Sequence, residues 1–239
     1  MIISNPSILV VKPNDLETLR RDFNRLRARV GVADTQDGER DLMVTHRGTS
    51  TLIDSYGTDI QEIHRGLLSY EKKIRLNYDP PYDIVEPYSV YYYLFSTTRG
   101  SFLVLIGAKS VTRQLRRILE NAGHALEPVR FTNQVQDAVR ALGGIITYGL
   151  AGRNTRERVG GRVMATTRSS KVSIDQSDME RFIESMGTWR DRGLTWIGSG
   201  NRPDLTFWIY YGGSILIRHP HVREEDMIGI IDMVIRYLP

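Results

Sequence analysis

The 239-residue chain has no cysteine. That absence excludes a disulfide scaffold, a thiolate zinc site, an iron–sulfur cluster and a cysteine nucleophile. Long apolar runs are missing too, and no stretch approaches the roughly 18 apolar residues of a spanning helix. The opening MIISNPSILVVKPND carries a short apolar stretch with neither a basic leading region nor a small-residue cleavage site. The expectation is an intracellular, cytoplasmic protein with no membrane partner. Lysine is scarce: 27 of the 32 basic residues are arginine, whose planar fork suits paired bonds to phosphate or carboxylate. Catalytic signatures are lacking as well. There is no GxxxxGK[ST] loop, no dinucleotide GxGxxG fingerprint, no GxSxG elbow and no HExxH helix. A non-enzymatic protein that needs no cofactor is therefore the preferred reading.

Hydrophobic residues at 41% and charged residues at 25% suffice for a folded core, so the chain is not disordered as a whole. The net charge of +4 is unevenly placed. Residues 109–171 hold 12 Lys and Arg against 4 Asp and Glu, a local balance of +8, whereas residues 1–108 (13 against 14) and 172–239 (7 against 10) are slightly acidic. Location therefore says more about a partner than the total does.

The organisation reads as α+β, with a largely antiparallel sheet built from a recurring hairpin-then-helix unit. The first such unit is LMVTHRGTSTLI, turning near Arg47–Gly48, followed by a helix from about Asp59 to Lys73 that carries Ile60, Ile63 and Leu67 behind a Thr58/Gln61 capping box. In the second, VYYYLFSTTRGSFLVLIG turns near Arg99–Gly100. A helix capped by Ser110 follows, with Val111, Leu115, Ile118, Leu119 and Ala122 on one face, and Gly123 stops it. The third, RVMATTRSSKVSID, turns at 168–170 before a helix from Ser177 to about Met186. The fourth, LTFWIYYGGSILIRHP, turns at Gly212–Gly213 and leads into a helix from about Arg223 to Tyr237. Elsewhere ILVVK is a buried strand, and Asn14 with Glu17 caps a helix running to about Val30. Its seam is Leu16, Leu19, Phe23, Leu26 and Val30. A short helix covers Asn133 to Leu142. Breaks fall at the prolines of DPPYDIVEP and in the polar stretch from Gly149 to Gly161. They delimit an N-terminal α+β region (1–80), a central hairpin–helix region (81–150) and a C-terminal one (151–239), arranged as one continuous body or as two similar lobes.

GLAGRNTRERVGGR is the segment best suited to an anionic ligand. Glycine lets backbone amides approach a phosphate, and Arg153, Arg156, Arg158 and Arg162 supply paired donors. Arg113, Arg116 and Arg117 lie on the polar side of the Ser110 helix, and Arg168 and Lys171 flank the next turn. Together these nine residues predict a nucleic-acid-binding protein, for DNA or RNA, that contacts phosphates with little base readout. The alternative is an assembly protein that docks the same basic patch on an acidic protein surface. A homo-oligomer fits either reading, because the last helix is apolar on more than one face. A third reading is a metal-dependent nuclease or phosphoesterase, on His219 and His221 with Glu224, Glu225 and Asp226 as a metal or phosphoesterase site, or on Asp79, Asp83 and Glu86 among the prolines as a nuclease site. Each lacks a complete ligand set. His46, His64 and His124 read as isolated. The aromatics Tyr91–Tyr93, Phe95, Phe207, Trp208, Tyr210 and Tyr211 read as packing or as outward stacking platforms.

Overall fold

The computed structural model describes residues 1–53, 60, 62–129, 145–150, 158–159, 162–163, 171–173, 193–199, 202–210, 213–236 and 238. The chain forms two compact units. One comprises Ile8–Glu127, the other Met1–Ser7 with Pro128–Pro239. Strand β1 (Ile2–Ile3) belongs to the latter.

The Ile8–Glu127 unit is mainly antiparallel sheet. After β2 (Ser7–Pro13) and α1 (Leu16–Phe23) come β3 (Arg27–Thr35), β4 (Gly38–Ile53), β5 (Glu62–Leu76), β6 (Tyr82–Thr97) and β7 (Gly100–Gly107). Helix α2 (Lys109–Asn121) and the short β8 (Leu126–Pro128) close it. The strand order is β2, β7, β6, β5, β4, β3, with β8 beside β2. Both helices lie on one face. Leu19 and Phe23 of α1 and Val111, Leu115 and Leu119 of α2 pack on Leu9, Val11, Val44, Leu68, Tyr70, Val90, Tyr92, Leu94, Leu103 and Leu105 of the strands.

Several expectations hold here. ILVVK lies within β2, with Ile8, Leu9, Val10 and Val11 buried and Lys12 partly exposed, and the β6–β7 hairpin turns where expected. Gly100 has φ +119°, a conformation that disfavours any side chain, and the Thr97 hydroxyl accepts the Arg99 N–H at 3.1 Å. The same Thr-x-x-Gly pattern closes β3–β4, where Thr35 opposes Gly38 at φ +111°. That hairpin was not foreseen. Helix α2 ends at Gly123 as expected, with the His124 N–H on the Leu119 carbonyl and the Gly123 N–H on that of Glu120.

Several expectations are corrected. Helix α1 stops at Phe23, and its cap is Asp15, whose carboxylate accepts the Thr18 N–H at 2.9 Å; Asn14 is not the cap. The supposed continuation to Val30 is β3, because ARVGVADT combines valines and a glycine that pair with β4 more favourably than they extend a helix. Leu26 and Val30 still pack on the core, so the apolar positions were right and the period was wrong. LMVTHRGTSTLI is not a hairpin. It lies within one long strand, β4, and Arg47 sits in a bulge between His46 and Gly48. Residues 62–73, expected as a helix, belong to β5. Helix α2 starts one residue before Ser110, capped by Ala108 with no side-chain bond.

Of the prolines of DPPYDIVEP, Pro80 and Pro81 lie in the unpaired tip as expected, but Pro87 does not interrupt pairing. Pro87 opposes Glu71 and Tyr82 opposes Leu76, so the segment is the tip and outgoing strand of one long hairpin. Near that tip Asp83, 2% exposed, accepts the Asp34 N–H of β3 at 3.0 Å and pairs with Arg75 at 3.2 Å and Lys73 at 3.4 Å. This carboxylate fastens β6 to β3 across two intervening strands.

In the other unit the described strands are β9 (Ile145–Leu150), β10 (Arg158–Val159), β11 (Arg162–Val163), β12 (Lys171–Ser173), β13 (Gly193–Ser199), β14 (Arg202–Tyr210), β15 (Ser214–Arg218) and β16 (Val222–Arg223), followed by helix α3 (Glu224–Arg236). The order β12, β9, β13, β14, β15 is antiparallel throughout, β10 pairs β11, and β1 pairs β16. The β14–β15 hairpin and the last helix agree with the sequence reading. Helix α3 buries Met227, Ile228, Ile230, Ile231, Met233, Val234 and Ile235, which accounts for its apolar breadth within the chain itself. The helices expected at 133–142 and 177–186 lie outside the described residues. The chain is thus mainly antiparallel sheet with few described helices, and in the first segment read as hairpin–helix residues 42–53 and 62–73 are strand.

Candidate nucleic-acid interface

Helix α2 carries the first of the basic site residues. Its apolar side faces the sheet, so periodicity forces Arg113, Arg116 and Arg117 toward the opposite side. Arg113 and Arg117, one turn apart, are exposed and form no hydrogen bond or ion pair with the described residues. Arg116 is used differently. It pairs with Glu120 at 2.8 Å and donates to the Leu126 carbonyl at 3.3 Å, tying α2 to β8. Its guanidinium is a structural strut before it is a ligand contact.

Arg158 and Arg162 stand on the two-residue ladder of β10 and β11, opposite Val163 and Val159 respectively. Lys171 opens β12, opposite Leu150 of β9. Arg153, Arg156 and Arg168, and the turn at 168–170, lie outside the described residues. Arg25, between α1 and β3, and Arg27, the first residue of β3, are exposed; the sequence reading did not place them in the site.

The residues of the nuclease alternative have other work. Asp83 is the clasp described above. The Asp226 carboxylate accepts the Arg223 N–H at 3.0 Å and caps α3, Glu225 pairs with Arg223 at 3.0 Å, and Glu224 is buried 3.8 Å from the Met1 amino group. His219 Nδ1 accepts the His221 backbone N–H at 3.1 Å. No group of three His, Asp or Glu able to hold a metal ion occurs among the described residues. His124 is not isolated, since its Nε2 lies 3.2 Å from Asp22 and links α2 to α1.

The aromatic strand at 91–95 resolves toward packing. Tyr92, Tyr93 and Phe95 are all buried, so both faces of β6 are covered there and these rings offer no platform for bases. An outward pair does exist elsewhere. Tyr78, 64% exposed, stacks on Tyr82 at 5.7 Å beside a groove of about 560 Å³ lined by Asp34, Thr35, Gln36, Asp79, Pro80 and Pro81. Asp34 and Asp79 make that groove a poor place for phosphates.

Sequence reasoning missed a further polar group. His46, His64 and Tyr92 face the covered side of the sheet, and burial pushes both imidazoles below their ordinary 6.5 and the phenol up to about 12. All three are thus held neutral at physiological pH. The available signal was the alternation His64, Gly66, Leu68, Tyr70, whose first two members are not apolar.

No known protein-family model matches the chain, and no curated protein matches it in sequence. No helix among the described residues is long and apolar enough to cross a membrane.

Proposed function

We propose that the chain binds nucleic acid through its phosphates, using the basic segment 109–171. The observation that carries this reading is the pair Arg113 and Arg117, exposed on one face of α2 and without an ion pair among the described residues, at the start of the segment whose charge balance is +8. Arginines anchored on a packed helix offer paired donors to phosphate and release counterions from it. Arg153, Arg156, Arg158, Arg162, Arg168 and Lys171 extend the same charge, while Arg116 helps by holding the helix in place. Such contacts supply affinity and orientation without base identity.

The test is fluorescence anisotropy of labelled single-stranded DNA, duplex DNA and RNA between about 50 and 200 mM salt. Wild type is compared with Arg113→Ser/Arg117→Ser and with a variant carrying Ser at 153, 156, 158 and 162. Binding with a steep negative slope of log K on log salt is expected, made shallower by about 2 in the double variant and by about 3 to 4 in the quadruple one. Absence of binding at the lowest salt, or slopes unchanged in both variants, overturns the proposal and turns attention to acidic protein surfaces.

A further inference from the structure

The tips of two hairpins meet within the Ile8–Glu127 unit. Strands β3 and β4 are joined through Gln36 and Asp37, β5 and β6 through residues 77–81, and the Asp34 N–H donated to Asp83 at 3.0 Å holds the tips together. Between them lies the groove of about 560 Å³, with the β3–β4 turn on one wall and Tyr78, Tyr82 and two prolines on the other. Tyr78 lays one face on Tyr82, their planes 14° apart, and at 64% exposure its other face meets solvent. Pro80 and Pro81 add rigid apolar surface with no backbone N–H to offer a ligand.

The charge of the groove selects its occupant. The Asp34 side chain is 73% exposed and reaches Arg75 only at 3.9 Å, because that guanidinium sits closer to Asp83, at 3.2 Å. Asp79 is exposed and forms no ion pair among the described residues. Asp37 and Glu39, both exposed, stand on the adjoining turn, whereas the other cations nearby are engaged, Lys73 with Asp83 and Arg40 with Glu71. An electron-rich ring face beside carboxylates of this kind attracts a cation. A small metal ion is poorly served, since ring faces and prolines replace none of its water. Guanidinium suits the groove better: it is planar and weakly hydrated, and it stacks on a ring while its edge pairs with carboxylate. That group fills a small part of the groove, and the rest admits the chain that carries it. We propose that the groove binds an arginine side chain of a partner peptide, its guanidinium on the open face of Tyr78 and its N–H groups donated to Asp34 and Asp79. This surface is independent of the phosphate-binding reading, whose ligands carry the opposite charge.

The whole chain is titrated into the capped peptide Gly-Arg-Gly-Arg-Gly carrying an uncharged dye, at about 50 mM salt, and the anisotropy of the dye is read. Saturable binding is expected, with the lysine counterpart of the peptide at least about threefold weaker. Tyr78→Phe should keep the affinity and Tyr78→Leu should weaken it about two- to fivefold. Asp34→Asn/Asp79→Asn, which leaves the Asp34 N–H on Asp83, should weaken it about tenfold. Should Tyr78→Leu fail to fold, the ring-proton shifts of Tyr78 and Tyr82 in wild type on adding the peptide decide instead: movement supports the site and its absence overturns it. Lack of binding by folded wild type, equal affinity for the lysine peptide, or unchanged affinity in Tyr78→Leu each overturns the proposal. Free arginine methyl ester binding as tightly as the peptide overturns a peptide as the ligand.

Discussion

At the scale of single residues, two positions carry more than their neighbours. Gly66 accommodates the Tyr92 ring, and alanine there would displace that ring from Phe23. Gly66→Ala is expected to destabilise the protein by about 1–3 kcal/mol in urea titrations, with partial recovery when combined with Tyr92→Leu. Asp83 is the second. Its carboxyl is held below the ordinary 3.8 first by the hydrogen bond from the Asp34 N–H, against the effect of burial, and further by Arg75 and Lys73. The unfolded chain therefore takes up a proton at higher pH than the folded one. The stabilisation from the clasp is complete above the ordinary value and is lost as pH falls through the folded one. Melting temperatures should drop as pH falls below about 4 in wild type, whereas Asp83→Asn should start lower at neutral pH and change less on acidification. Neither role was legible in the sequence, where Gly66 interrupts an apolar pattern and Asp83 sits among prolines. Each depends on a neighbour from another strand, Tyr92 at a separation of 26 residues and Asp34 at 49.

Elements were legible where a local signal and the tertiary pairing agreed. The β6–β7 hairpin, α2 with its glycine stop, and α3 all carry strong periodicity and turn chemistry. Residues 62–73 were misread because one face of β5 presents His64 and Gly66, so apolar spacing alone suggested a helix where pairing with β4 and β6 decides for a strand. The seam Leu16–Leu19–Phe23–Leu26–Val30 likewise names core residues correctly while crossing from helix into strand. Of the candidate interface, the helical placement of Arg113 and Arg117 was legible, but the engagement of Arg116 with Glu120 and Leu126 was not. That division of labour is testable. Arg116→Ala should lower stability by about 1 kcal/mol through a lost ion pair and a lost carbonyl bond. Arg113→Ser/Arg117→Ser should stay within about 0.5 kcal/mol of wild type while changing oligonucleotide affinity.

For the molecule as a whole, charge and fold are distributed differently. The well-packed Ile8–Glu127 unit supplies α2 as the rigid end of the basic segment, and the remaining arginines of that segment belong to the other unit. Composition made the charge visible, but which residues stay free to meet a ligand follows only from the pairing of strands and helices. The order of strands has one more consequence. Among the described residues β3 has a strand neighbour on one side only, so the backbone groups of β3 not already met by β4, by Gln114 (the Val30 carbonyl) or by Asp83 (the Asp34 N–H) offer a template to any other extended chain. Two features blunt that template: the register shift between Arg29 and Gly31, and the exposed side chains of Arg27 and Arg29. Arg29 is paired with Asp41 at 2.9 Å, so the repulsion of an identical strand arriving beside it falls chiefly to Arg27. Arg27→Thr/Arg29→Thr should fold normally yet scatter light on standing at high protein concentration, through fibrillar growth that begins at this border.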